Sequence, residues 1–402
     1  MKNCILLFAC LVFGQFVKAQ TIVIQGRVTD AQSNEPLPYA NVGIFSNRIG
    51  TSTNAKGEFI LKLPANKTKD TLSVSFVGYK PFKIQVAKAA EQEILKVKLQ
   101  ALNINLKEVT IKPIDPYEII RQAIKKLPEN YDISPVLMEG FFRETVKLKN
   151  KEQYFAFAEG VLEMYKASVR NTNDEVKILK GRKKNLNNYF IEGKDSCGLP
   201  NIVNGPHIGI ILDITKHRDS FLKERNKYKF TFTDISAIND REVYVFSFVP
   251  KVDTHSYYSR SYAVENYDIT PFEGKVFIDM DNLAILRAEY KLTGGTLDYL
   301  NASYNKNPAQ IPFNLKSRTY QINYSVFEGK HYIQSAFVEN NYLYRLPHAQ
   351  PFVSNLAFQL TKIIKGDIKR FNNKDIINEN SSLGEFANTF SEDFWEDYNI
   401  IK

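Results

Sequence analysis

Five histidines offer the first place to look for metal or acid–base chemistry: His207, His217, His255, His331 and His348. Catalytic zinc takes three protein ligands and keeps one position open. Peptidase sites of that kind are marked in sequence by a Glu three residues after a His, with a distant second His, or by a HExxH helix. None of the five histidines has a Glu three positions on, and no HExxH occurs. Cys4 and Cys10 lie in the first twenty residues, which leaves Cys197 as the candidate nucleophile. A reactive thiol needs a base that lowers its pKa. His207 is near in sequence, but Ser196-Cys197-Gly198-Leu199-Pro200 reads as a loop, so Cys197 is expected to be a structural or incidental thiol. Glu139, Glu144, Glu159 and Glu163 fall on adjacent predicted strands, where paired carboxylates could serve hydrolysis. Carboxylates on sheet faces are commonplace, and no general-base partner is identifiable for them. No catalytic residue, metal ligand, cofactor-binding residue or cofactor is therefore assigned.

The elements around these residues are mainly strands. Phe and Tyr number 28 and 22 against one Trp, a bias that favours sheets. Asp115-Pro116 predicts a helix start, with Asp115 as cap and Pro116 in the first turn. Ile120, Ala123, Ile124 and Leu127 then share one face of a helix ending near Pro128. Hairpins are predicted for 141–148 with 154–165 around Lys149-Asn150-Lys151, and for 228–235 with 243–249 across Asn239-Asp240. Two more pair 275–278 with 285–290 across Asp281-Asn282, and 319–327 with 331–338 across Glu328-Gly329. A second helix is predicted over 212–223. Successive hairpins make an antiparallel meander, since short links cannot join parallel strands. The run from Val243 to Val249 is apolar on both faces and predicts a strand covered on both sides.

Ahead of this region, short apolar runs alternate with turn signals at close spacing, the pattern of a β-sandwich. Strands are expected over 22–28, 40–45, 72–76 and 94–99. A hairpin turn is expected at Thr53 to Phe59, where Asn54 bonds the local backbone and Gly57 supplies a positive φ. Gly26-Arg27-Val28-Thr29-Asp30, Leu37-Pro38 with Asn41-Val42, Gly50 to Asn54 with Gly57 and Phe59, and Phe76-Val77-Gly78-Tyr79 follow one another in a recognisable order. In that order and spacing the segment resembles the carboxypeptidase-like regulatory domain. The resemblance implies a seven-stranded, transthyretin-like sandwich, of the kind that also precedes the plug of many TonB-dependent receptors. It implies an interaction module and no peptidase. Asn54 stands where relatives often carry Asp, which keeps the turn and weakens any metal reading. The hairpin Glu273 to Asp279 with Ile285 to Tyr290 is similar to strands of the LolA-like lipoprotein-carrier fold. That fold would offer an apolar groove on a concave face; a packed core is the other reading.

The organisation expected is a signal peptide at 1–19, the sandwich at 20–112 and a larger antiparallel β-rich (α+β) domain at 113–402. Its second part is read as a half-barrel with one or two helices. Lys2, the apolar run from Ile5 to Phe13 and Val17-Lys18-Ala19 have the order of an export signal. A lipidation box at Cys10 is the alternative. The formal charge of +9 becomes +7 once Lys2 and Lys18 are removed. Basic residues cluster at 177–184 and 216–229, expected to form a solvated face or one that meets an anionic membrane or glycan. The compartment disfavours nucleic acid. The function expected is non-enzymatic: an exported binding or scaffold protein of the periplasm or the periplasmic face of the outer membrane. Its partners would be envelope proteins or an apolar ligand in the second domain. An integral outer-membrane β-barrel with a periplasmic sandwich, and a hydrolase, are the alternatives.

Overall fold

A computed structural model describes residues 21–44, 49–54, 56–76, 78–102, 114–149, 154–171, 173–185, 205–216, 220–238, 241–251, 272–294, 297, 313–344, 351–378, 383 and 388–389. The signal-like segment, Pro113, Cys197, Trp395 and the turns at Asn150-Lys151 and Asn239-Asp240 lie outside the described residues.

The N-terminal unit has seven strands in two sheets, as expected. Strands β1 (Thr21–Asp30), β4 (Glu58–Pro64) and β7 (Leu95–Leu99) form one sheet. Strands β2 (Asn41–Ile44), β3 (Ile49–Ser52), β5 (Thr71–Ser75) and β6 (Phe82–Gln85) form the other, in the order β3-β2-β5-β6. Helix α1 (Val86–Ala90) follows β6. Alternation along the strands sends Ile24, Val28, Val42, Phe59, Leu61, Leu72, Val74 and Val97 into one core. Gly26, which interrupts β1, faces Phe59; a Cβ there would sit 2.4 Å from the Phe59 ring, so the ring occupies the space a side chain would need.

The second unit is one sheet of eleven strands. These are β8 (Val136–Leu148), β9 (Tyr154–Lys166), β10 (Glu175–Asn185), β11 (Tyr228–Ile238), β12 (Arg241–Pro250), β13 (Phe272–Asp279), β14 (Ile285–Leu292), β15 (Phe313–Phe327), β16 (Lys330–Tyr344), β17 (Pro351–Ile364) and β18 (Asn388–Thr389). Their order is β11-β12-β13-β14-β15-β16-β17-β8-β9-β10-β18, antiparallel throughout except for the short β10–β18 pair. The four predicted hairpins form, and the β15–β16 turn carries positive φ at both Glu328 (47°) and Gly329 (74°), as a two-residue hairpin loop requires. Ladder irregularities recur, for example at Phe232/Asp234, Ile178/Lys180 and Leu360/Lys362. Each such bulge bends and twists its strand. The sheet stays open, with β11 and β18 at its edges among the described residues, and does not close into a barrel.

Its inner face is packed with the chain's own segments. Helix α2 (Pro116–Lys125) starts as predicted: the Asp115 carboxylate accepts from the Tyr117 amide at 2.9 Å and Pro116 occupies the first turn. Ile120 and Ala123 are buried, and the helix stops before Leu127-Pro128, where a second short helix, α3 (Leu127–Asn130), begins. Leu212, Ile214, Phe221 and Leu222 join them against Phe142, Leu162, Phe246, Phe248, Ile322 and Phe358. Fully burying side chains of this size stabilises by about 1.5–3 kcal/mol each. The choice the sequence left open, groove or packed core, falls on the packed core for these residues. Phe358 shows how close the fit is: a Cβ on Gly140 would lie 2.2 Å from its ring, and one on Gly209 3.0 Å. Val243 and Val245 face a smaller cluster on the outer side with Phe277 and Leu286, while Phe246 and Phe248 face inward, so β12 is covered on both faces as predicted.

Two expectations are corrected. No helix spans 212–223: a one-turn helix α4 (Ile208–Ile211) precedes turns, and a 3-10 turn follows at Arg225–Lys227. Part of the reason is local: the Asp213 carboxylate accepts from both the amide (3.1 Å) and the hydroxyl (2.5 Å) of Thr215. Such bonds compete with the helical ladder. Nor are the two basic stretches simply solvated, because Arg182 and Lys216 are both buried.

Candidate functional site

Three polar constellations have residue types suited to chemistry. The innermost lies where the 205–216 segment meets the sheet. Asp213, 1% exposed, pairs with the ammonium of Lys166 on β9 and accepts from Thr215 and from the Tyr324 hydroxyl on β15 at 3.0 Å. Beside it Lys216 pairs with Asp174, which also accepts from the Ala167 amide at 2.8 Å. Burial raises the Asp213 pKa, but the Lys166 charge and the three donors outweigh it and hold the group below the usual carboxylate range. Burial lowers the Lys216 pKa against the opposing pull of Asp174. The hydroxyls of Tyr324 and Tyr131 are pushed well above ordinary values, by burial first and then by Asp213. Asp213 is thus held ionised, and Tyr131 and Tyr324 neutral. Tyr131 accepts from the Ile285 amide and donates to the Ile285 carbonyl, which ties the end of α3 to β14. The constellation fastens the inner segments to the sheet.

The second lies on β8 to β10, facing outward. Glu159 is fully buried and accepts from Arg143 (2.8 Å) and Arg182 (2.6 Å), one guanidinium on each flanking strand. The third comprises the other carboxylates singled out in the sequence, two of which the fold pairs and one of which it sets apart. Glu139 and Glu163 are cross-strand partners on the outer face, with Lys177 3.8 Å from Glu163. Burial raises the Glu139 pKa, partly countered by Lys362. Glu144 points the other way, into the inner face opposite Leu356 and Ala158, and its Oε2 is buried with no hydrogen-bond partner. Burial alone pushes its pKa up to about 7. Of these four, Glu139 and Glu163 are brought together, while Glu144 and Glu159 lie on opposite faces of the sheet.

Among the histidines, His207 and His331 are buried. His217, His255 and His348 lie outside the described residues. Among the described residues no three His, Cys, Asp or Glu side chains are grouped as a metal site would need. His331 packs 5.7 Å from the Tyr131 ring, and burial, with Arg241, pushes its pKa down to about 4. A histidine whose folded value lies below its unfolded one, about 6.5, contributes stability that is complete above that pH. That stability is lost as pH falls toward about 4. His331→Leu is expected to lose less stability than the parent protein between pH 7 and pH 4, measured by denaturant midpoints. Equal losses would contradict this.

The motif residues of the sandwich all serve its architecture. Asn54 Oδ1 accepts from the amides of Lys56 (2.8 Å) and Glu58 (3.0 Å), and Gly57 has φ of 75°. Thr53 Oγ1 donates to the Leu37 carbonyl and accepts from the Ala40 amide. Asp30 accepts from the Ser33 and Gln32 amides and, 49 positions along, from the Tyr79 hydroxyl at 2.8 Å. Those bonds lower the Asp30 pKa, and burial with the Asp30 bond raises Tyr79 to about 12. Tyr79→Phe removes one part-buried hydrogen bond and is expected to destabilise the sandwich by about 1 kcal/mol, read by urea unfolding. No change would show that the bond is replaced by solvent.

The inner network escaped the sequence reading. Lys166, Asp213 and Tyr324 share no local spacing, and the one visible signal, a basic stretch beginning at Lys216, pointed to a solvated face.

Comparison with known proteins supports the N-terminal assignment. The CarboxypepD_reg-like domain family matches residues 24–111. No curated protein matches the chain. Among solved structures, one described as lipid–protein interactions in lipovitellin is 12% identical over 60% of this chain, with a TM-score of 0.26. This chain spans 27% of that protein's length. A Bacteroides fragilis protein, described as membrane-associated and of unknown function, is 10% identical over 86% of this chain and 99% of its own, with a TM-score of 0.16. Scores this low carry no argument about the second unit, and its likeness to the LolA-like carrier is not confirmed.

Proposed function

We propose that this chain, whose first module is a CarboxypepD_reg-like β-sandwich, is an exported, non-catalytic scaffold or binding protein of the cell envelope. It would act in the periplasm or at the periplasmic face of the outer membrane. The observation that carries the reading is what the polar residues do: the Asp213 and Glu159 clusters and the sandwich motifs spend their hydrogen bonds on holding chain segments together. Asp213 is bonded on every side, Glu159 is clasped by two arginines, and the sandwich motifs close turns. The packed inner face favours a rigid platform over a carrier of apolar cargo. Partners in this reading are envelope proteins met through the sandwich and the sheet.

Expression of the full chain, followed by fractionation and carbonate extraction, tests the reading. Processing near Ala19 and release of the protein from envelope membranes by carbonate are expected, with no turnover of peptides or glycans. Retention in carbonate-washed membranes would favour the integral-barrel alternative, and measurable hydrolysis would favour the hydrolase.

A further inference from the structure

The sandwich rests on the outer face of the large sheet, and both surfaces are unusually polar for buried ones. Val42 and Val74 point into the sandwich core, so their strand neighbours Asn41, Gly43 and Ser75, with Gly50 and Ser52 in register, face the other way. That face is buried: Ser52 and Ser75 are each 2% exposed. Opposite them β14 to β17 present Arg287, Asn323, Ser335 and Gln359, with Arg287 donating to Asn323 (3.0 Å) and Asn323 to Ser335 (2.9 Å). Gly50 approaches Gln334, Tyr39 stacks on Phe337 with centroids 3.9 Å apart, and Arg287 sits 5.7 Å over the Phe76 ring. The Gly78 amide donates to the Ala237 carbonyl across the junction at 3.2 Å.

The two hydrophobic cores remain separate on either side. On the facing surfaces Asn41 Oδ1, Ser75 Oγ, Gln321 Nε2 and Gln359 Oε1 are buried without a hydrogen-bond partner in the protein. A buried polar atom left unsatisfied costs free energy that water would return on exposure. An antiparallel sheet also tolerates one solvated face, and contacts between domains of one chain resemble transient interfaces. Opening this junction therefore uncovers groups that water hydrogen-bonds, while neither core is broken. Residues 103–113 join the two units, and an eleven-residue extended chain reaches up to roughly 35–40 Å.

We propose that the sandwich is a detachable module, docked reversibly on the β14–β17 face and able to swing away as a folded unit. This goes beyond the scaffold reading and stands whether or not the chain is exported or catalytic. Adjacent residues on β5 test it in the full-length protein carrying Cys4→Ser, Cys10→Ser and Cys197→Ser. Ser75→Cys places a thiol in the junction, and Val74→Cys places one in the sandwich core. Under native conditions a thiol reagent is expected to modify Ser75→Cys on the order of a hundredfold faster than Val74→Cys, because a local opening is more frequent than unfolding of the core. Adding Tyr39→Ala should raise the Ser75→Cys rate further and leave the Val74→Cys rate unchanged. Equal rates at the two positions would overturn the proposal, whether both are fast, through fraying of β5, or both are slow, through a rigid junction. Hydrogen exchange of the unmutated protein gives an independent reading. The Gly78 amide is expected to exchange well ahead of the β1–β4 ladder amides, and exchange at the same rate would count against detachment.

Discussion

Asp213→Ala is expected to destabilise the protein by about 3–5 kcal/mol, the range found when one partner of a buried ion pair is removed. The substitution leaves the Lys166 ammonium facing a space that held its counter-charge and takes an acceptor from Thr215 and Tyr324. The Asp213 pKa is held below its unfolded value, about 3.9 for a free aspartate, so its contribution is present above that pH. It is lost as pH falls through the folded value. The penalty should therefore be full at neutral pH and shrink in strong acid. Lys166→Met alone is expected to be costly as well, because Asp213 would then lack its ammonium. The double variant Lys166→Met with Asp213→Ala should be less destabilised than the sum of the singles, since it removes both charges together. Chemical denaturation of the four proteins gives the coupling. Additive losses would mean that the pair is solvated and that segment 205–216 is fastened by its apolar contacts alone.

Glu144→Gln is expected to act in the opposite sense and to stabilise. The Glu144 carboxyl has a buried oxygen without a partner and a pKa pushed up to about 7 by burial. Its unfolded value lies near 4.3, so the unfolded chain releases this proton first. Stability is complete below the unfolded value and is lost as pH rises through about 7. A shift of that size corresponds to a loss of roughly 4 kcal/mol once the group is ionised, at about 1.4 kcal/mol for each pH unit. The neutral isostere removes the loss. Glu144→Gln should therefore match the parent protein below about pH 4 and exceed it by up to about 4 kcal/mol at pH 8.5. A stability difference independent of pH would show that Glu144 reaches solvent, and the prediction would fail.

Much of the architecture was legible because it rests on local rules. Alternation of apolar residues placed the strands of both units, Asp115-Pro116 marked the start of α2, and Glu328-Gly329 marked a hairpin turn. The helix expected over 212–223 failed for a tertiary reason: the Asp213 side chain binds Thr215 locally and Lys166 and Tyr324 at a distance, and together these outweigh a weak helical preference. Two residues of the basic stretches depart from the expected solvated face. Lys216 and Arg182 look solvated as sequence, yet each meets a carboxylate brought from another strand or loop.

What the sequence determined by itself is the part with short range: the sandwich and its turn motifs, the hairpins of the meander, and the missing zinc-peptidase spacing. Only the tertiary structure decided which face of each strand is inside, and with it the fate of the carboxylates. Glu144 and Glu159 stand fifteen positions apart on neighbouring strands, yet one is a half-buried acid whose Oε2 has no partner and the other a doubly clasped carboxylate. Alternate residues of a strand emerge on opposite faces. The side on which a carboxylate emerges, and what waits there, is settled by strands far away in the chain.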